Sequence, residues 1–179
     1  MQPMLKLQIE PDWDEVDRVR EQSAAFLGEQ GLTDEAIYAL SMVVCELTEN
    51  AVKYGTFDST AHAIGVTVSL GPKAVTVEVT SPVAHADDDI VGKLDYTIQW
   101  IRGYQDPFEA YLERLKEVST QHMTSPESGL GLVRIAYEGH SILDFYVDDQ
   151  NILAVSAVYS LDPSPDGVPY RGPEPGAPS

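Results

Sequence analysis

Two runs of alternating residues, "HAIGVTVSL" (62–70) and "KAVTVEVT" (73–80), meet at Gly71-Pro72. A period of two puts every second side chain on one face, so each run predicts a half-buried strand. A Gly-Pro break between two such runs predicts a hairpin. An antiparallel pair with one apolar face does not stand alone, and its valines need a cover. The rest of the chain is built to provide one.

"LKLQI" (5–9) alternates in the same way and predicts a first strand. In "DWDEVDRVREQSAAFLGEQG" (12–31), Val16, Val19, Phe26 and Leu27 suit one helical face, with Gly31 as its C-cap. Thr33 or Asp34 caps a second helix that runs to about Tyr54. "SPVAHADDD" (81–89) reads as a loop, with Asp87, Asp88 and Asp89 suited to a helix start. "IVGKLDYTIQWIRGY" (90–104) and "DPFEAYLERLKEV" (106–118) predict two short helices, the second with Pro107 in its first turn. A polar loop (119–129) leads to a helix that begins at a glycine pair, "LGLVRIAYEG" (130–139). "SILDFYV" (141–147) and "ILAVSAVYSL" (152–161) are strands around the turn "DDQN". From Asp162 the chain is rich in Pro and Gly and predicts a disordered tail, so the domain spans 1–161 and the tail 162–179. The order β-α-α-β-β-α-α-α-β-β is that of an α+β two-layer sandwich with a mostly antiparallel sheet.

Charge limits the partners. A net charge of −18 with pI near 4.3 argues against nucleic acid, which needs clustered Lys and Arg, and against anionic membranes. The same charge makes a phosphate ligand depend on local metal, lysine or backbone amides. Cys45 is the single cysteine, so no internal disulfide forms. The N-terminal stretch lacks the apolar run of a signal peptide, and nothing reaches the roughly 20 apolar residues of a membrane span. The expected setting is cytoplasmic.

On the second helix, Ala36, Leu40, Val43, Val44, Leu47 and Ala51 share one broad side at about 100° per residue, the core face. Met42, Glu46, Glu49, Asn50 and Lys53 lie on the other, with Asn50 nearest the border. Glu46 and Asn50 stand one turn apart, and Lys53 extends their stripe. A carboxylate, an amide oxygen and an ammonium in line can hold a hydrated Mg²⁺ and the phosphates on it. A solvated face with i,i+4 pairs would look the same from these residues alone. Late in the chain, "ESGLGLVRIA" (127–136) puts Gly129 and Gly131 just before a helix, where backbone N–H groups can approach an anion. A plain glycine turn is the ordinary alternative. The four histidines, 62, 85, 122 and 140, show no metal spacing. His122 and Ser125 fall in the polar loop before the glycine pair. Phe108, Tyr111, Leu112 and Leu115 share a face expected to pack into the core, with partner docking as the alternative. Trp13 and Trp100 are expected to be packing residues, Cys45 a packed thiol, and Asp144, Asp148 and Asp149 to include a turn.

"ELTENAVKYG" (46–55) resembles the N-box of the histidine-kinase-like ATPases, the group of gyrase, sensor histidine kinases and the MutL mismatch-repair proteins. "GLGL" (129–132) resembles their second glycine box, and the order of elements between the two also fits. Within the group, the chain is most similar in style to stand-alone bacterial anti-sigma-factor serine kinases and to SiaB-like partner-switching kinases. The resemblance implies a Bergerat-type ATP-binding sandwich with ATP and Mg²⁺ as cofactors. It implies that Asn50 ligates Mg²⁺, Glu46 acts as general base or orients the attacking hydroxyl, Lys53 neutralises a phosphate oxygen and Tyr54 packs beside the nucleotide. Gly129, Leu130 and Gly131 would form the phosphate-binding end of a lid. It implies a small regulatory protein as partner, an antagonist-type domain or a sigma factor, and relatives of this kind commonly form homodimers. One part of the pattern is absent. The third strand runs into Thr80, Ser81 and Pro82 where "D-x-G" is expected, so Thr80 or Ser81 is left to meet the base. Three functions stay open: a serine/threonine protein kinase, a silent module that sequesters a regulator, and a plain ATPase.

Overall fold

The computed structural model describes residues 2–59, 62–84, 88–120 and 129–162. The elements follow the order β1 (Met4–Ile9), α1 (Trp13–Glu29), α2 (Asp34–Tyr54), β2 (Ile64–Leu70), β3 (Ala74–Pro82), α3 (Asp88–Arg102), α4 (Pro107–Thr120), α5 (Leu130–Tyr137), β4 (Ser141–Val147) and β5 (Ile152–Ser160). The strands form one antiparallel sheet in the order β1-β2-β3-β5-β4. The architecture is the expected α+β one.

Local chemistry sets the element ends. Asp12 caps α1 by accepting from Asp14 N at 3.1 Å. Gly31, at φ +77°, closes the helix in a Schellman motif, with Leu32 N donating to Leu27 O (3.3 Å) and Gly31 N to Gly28 O (3.0 Å). Thr33 caps α2 by accepting from Ala36 N at 3.3 Å. Asp148 closes the β4–β5 turn, its side chain accepting from Gln150 N and Ile152 N, while Asn151 takes positive φ.

One face of the sheet carries the core. Val66 and Val68 of β2 and Val75, Val77 and Val79 of β3 point at the helices. Leu40, Val43, Val44 and Leu47 of α2 are buried in the same cluster. Thr48, buried inside α2, satisfies its hydroxyl by donating to Val44 O at 2.7 Å.

Three differences from the sequence reading bear on the site. β3 continues through Ser81 and Pro82, because both pair with β5, opposite Leu153 and Ile152. On α4 it is Ala110 that is buried, whereas Phe108, Leu112 and Leu115 stay 38–39% exposed. Two of the four stripe residues, Tyr111 and Phe108, meet α5 by packing on Tyr137 at 5.3 and 5.0 Å, and Tyr111 packs against the core as expected, while Leu112 and Leu115 stand beside that contact. Trp13, expected to be a packing residue, is 56% exposed at the first position of α1, ahead of Val16, the first buried residue of the helix. Trp100 packs as expected, edge-on to Tyr104 at 4.9 Å. The proposed tail after Asp162, the loop carrying His122 and Ser125, and the positions of His85 and Asp87 lie outside the described residues.

Leu40 is fully buried where α2 meets the sheet. Leu40→Ala should lower stability by about 2–5 kcal/mol in urea unfolding. A loss under about 1 kcal/mol would place the centre of the core elsewhere.

Candidate functional site

A cavity of about 790 Å³ opens between the helix layer and the sheet. Its floor follows from strand parity. Val79 and Ser81 of β3 lie opposite Val155 and Leu153 of β5, and all four line the cavity. α2 forms one wall with Glu46, Asn50 and Lys53, and Tyr54 stands at its end. Lys93, Leu94 and Thr97 of α3 line another side, Arg114 enters from α4, and Gly129 and Gly131 close the site at the start of α5.

Most of the residues singled out from the sequence therefore lie around one space: Glu46, Asn50, Lys53, Tyr54, Ser81, Gly129 and Gly131. Thr80 and Leu130 are not among its lining residues. Thr80 sits on the opposite face of β3, against Gly65, whose carbonyl is 3.5 Å from its hydroxyl. That placement corrects the pairing of Thr80 with Ser81, since neighbours in a strand point to opposite faces. Leu130 packs against the core.

Glu46 is the electrostatic centre of the site. Its carboxylate, 15% exposed, accepts from Arg134 Nη1 at 2.5 Å. Arg134 also grips Glu138 through Nε (3.2 Å) and Nη2 (3.3 Å). Arg134 stands three residues after Gly131, so one face of α5 presents both the guanidinium and the glycine to Glu46. A Cβ on Gly131 would collide with the other carboxylate oxygen, so any side chain here would displace the Glu46 carboxylate from its present position. Burial pushes the Glu46 carboxyl above its ordinary range; Arg134 opposes the rise, and Glu49 and Glu138 add to it.

Gly129 sits in the left-handed region at φ +61° and supplies no side-chain cap to α5. Lys53 lies over the Tyr54 ring, 4.8 Å from its centroid. Cys45, half-buried, has its thiol pushed up to about 11, chiefly by burial, which fits a packed thiol. Among the described residues, no group of three or more His, Cys, Asp or Glu could hold a metal. A divalent cation here would need the Asn50 amide oxygen together with phosphate oxygens and water, a donor set that suits Mg²⁺.

Arg134 and Arg114 were not singled out from the sequence. Arg134 had a signal, its spacing from Gly131 on one helix. Arg114 had none, because only the tertiary packing of α4 brings it to the cavity. Trp13 lies at the cavity rim, where its exposed ring adds an aromatic wall.

Residues 9–137 match the family model described as histidine kinase-like ATPase domain. The chain is also similar to a chain of the crystal structure of the SiaB-SiaC complex from Pseudomonas aeruginosa, with 18% identity and a TM-score of 0.66 over 86% of this chain and 88% of that one. At that identity the likeness shows the fold. No curated protein matches the chain in sequence.

The raised Glu46 pKa has a sign that can be checked. The folded state holds the proton more tightly than the unfolded chain. The ionised side chain therefore costs stability as pH rises from the ordinary value of 4.5 through the folded value. Carboxyl NMR should find Glu46 titrating above ordinary glutamates, and higher again in Arg134→Met. Stability of Glu46→Gln should lack this slope. A Glu46 that titrates at or below 4.5 would show that Arg134 outweighs burial.

Proposed function

The chain belongs to the histidine kinase-like ATPase family, and from that premise we propose that it is a regulatory protein that binds Mg·ATP and transfers a phosphoryl group to a serine or threonine of a small partner protein. The observation that carries this reading is the shared cavity. It brings Glu46 and Asn50, one turn apart on α2, to face Gly129 and Gly131, some eighty residues later in the chain.

The bound nucleotide supplies an activated phosphorus and its accompanying cation, so the protein's part is positioning and charge. Asn50 offers an amide oxygen to Mg²⁺. Lys53 offsets phosphate charge, and Tyr54 packs beside the nucleotide. Ser81, which lines the floor, would meet the base. The close backbone approach at Gly129 and Gly131 suits a phosphate. Glu46 orients the partner's hydroxyl and accepts its proton as the new O–P bond forms and the bond to ADP breaks. The raised Glu46 pKa moves it toward the range useful to a base.

The partner is the second half of the proposal. The similar fold was solved in a SiaB-SiaC complex, which supports a small protein partner such as an antagonist-type domain, with a sigma factor as the other kind. A homodimer and a cytoplasmic setting belong to the same reading. No helix among the described residues is long and apolar enough to cross a membrane.

A second reading, a silent module that sequesters its partner and binds nucleotide weakly or not at all, is favoured by one contact. The Glu46 carboxylate already accepts from Arg134 and has Gly131 packed against its other oxygen. A base so engaged must give up part of that contact before it takes a hydroxyl proton.

Thermal melting separates the two. Mg·ATP at 100 times its dissociation constant should stabilise the chain by about 2.7 kcal/mol. Asn50→Ala should remove the magnesium dependence of that shift. Glu46→Gln should keep the shift and lose labelled phosphate on a co-expressed partner. No shift at millimolar Mg·ATP, with the partner still bound, would decide for the silent module.

A further inference from the structure

Trp13 is the first residue of α1, and its side chain is exposed. Tryptophan is a highly buried residue on average. Trp100 follows that habit, packed on the core and edge-on to Tyr104. Trp13 does not. Among the described residues its ring makes no aromatic or cation–π contact, and its indole N–H has no acceptor. Yet the residue lines the cavity.

The sheet register says at which end of the cavity it stands. Ile9, the last residue of β1, pairs with Ile64 of β2. Gly65 pairs with Thr80 in an antiparallel ladder, so Ile64 stands level with Ser81. α1 starts four residues after Ile9, and the Asp12 cap fixes its first turn there. The end of α2 comes to the same place: Thr56, two residues after Tyr54, donates its N–H to Pro82 O at 2.8 Å. Trp13, Tyr54 and Ser81 therefore share one end of the cavity. Glu46 stands about two turns back along α2, against Gly131 of α5. Charge also separates the two ends. Asp12 and Asp14 flank Trp13 in the chain, so a phosphate beside the indole meets carboxylates, whereas a neutral base does not.

We propose that Trp13 is a nucleotide-binding residue, on whose indole face the base of the nucleoside triphosphate stacks at the cavity rim. The indole offers a large flat apolar surface, and a base covers it without a particular hydrogen-bond pattern. The inference rests on the nucleotide reading above and deepens it. It brings α1, which carries none of the motif residues, into the site. It also supplies affinity for the base at the end of the cavity where Ser81 stands in place of the expected carboxylate.

The test uses the full chain, with Trp100→Phe leaving Trp13 as the single indole. In that variant Mg·ATP and adenosine should quench the Trp13 fluorescence, and magnesium tripolyphosphate should not. In calorimetric titration, Trp13→Ala should weaken Mg·ATP by about five- to a hundredfold and leave tripolyphosphate unchanged. Trp13→Phe, which keeps a smaller ring, should fall between, and it carries the comparison should the alanine variant not fold. Unchanged Mg·ATP affinity in Trp13→Ala would mean that no base reaches the ring, and equal weakening of Mg·ATP and tripolyphosphate would mean that Trp13 only supports the cavity wall; either result overturns the proposal. Adenosine that quenches Trp13 in a protein binding neither Mg·ATP nor tripolyphosphate would sink the triphosphate reading and leave the stacking site standing. Binding of none of the three would overturn both.

Discussion

The seating of α2 on the β2–β3 hairpin fixes the orientation of everything around the cavity. Leu40, Val43, Val44 and Leu47 are buried in one cluster with the valines of β2 and β3. At 100° per residue, that contact leaves Glu46 and Asn50 no freedom of direction. They lie at the border of the apolar stripe and line the cavity, with Glu46 reaching Arg134 of α5. A rotation of one residue would carry the carboxylate into the valine layer, where an ionised group is very costly. The same core that stabilises the sandwich therefore aims its polar stripe.

The contact between Glu46 and Arg134 couples the two ends of the site. The residues are 88 apart in sequence and meet where Gly131 of α5 packs against the Glu46 carboxylate. Glu46 is mostly shielded from water, and Arg134 offsets part of the cost of its charge. Removing Arg134 would leave the Glu46 charge poorly solvated and be destabilising, whereas Arg134 without Glu46 keeps Glu138 and water. The arrangement has a second side. An oxygen that accepts from a guanidinium is a weaker base than one in an apolar pocket. Burial, Glu49 and Glu138 act in the other direction, and the balance lies on the raised side. On the proposed reading, catalysis and silence would differ by how readily the Glu46–Arg134 hydrogen bond is exchanged.

Much of the fold was legible because its signals are periodic and local. Alternation gave the strands, the 3.6-residue period gave α2, and Gly31 and Thr33 marked a helix end and a helix start that the hydrogen bonds bear out. The stripe of Glu46, Asn50 and Lys53 could be read in the same way, since it needs only the helix. What could not be read depends on how elements pack. Thr80 and Ser81 stood as a pair of hydroxyls at the predicted strand end, and only the pairing with β5, which carries the strand through Ser81 and Pro82, lets parity send Ser81 to the floor and Thr80 to the far face. The stripe on α4 was visible, but not that only its Phe108 and Tyr111 would find a partner in Tyr137 while Leu112 and Leu115 stay exposed. Arg114 and Arg134 matter through partners on other elements, and no local pattern reports such a partner.

Strand parity also bears on how a base could be held. The cavity-facing position at the end of β3 carries the Ser81 hydroxyl, where the nucleotide-binding pattern calls for a carboxylate nearby. A neutral acceptor in place of a charged one forgoes about 1–1.5 kcal/mol of interaction with a base amino group. The same cavity is lined by the rings of Trp13, Tyr54 and Tyr96, and stacking of a base on an aromatic side chain contributes about 1–3 kcal/mol. Stacking is tolerant of base identity, because every base has a π-face. On the nucleotide reading, the cations, the Asn50 amide and the glycine backbone would act on phosphate and metal. On that reading, affinity in this cavity then comes mainly from ring surface and phosphate charge, and hydrogen-bond readout of the base contributes least. Such a site distinguishes how many phosphates a ligand carries more sharply than which base it carries, which is the discrimination a phosphoryl-transfer regulator needs.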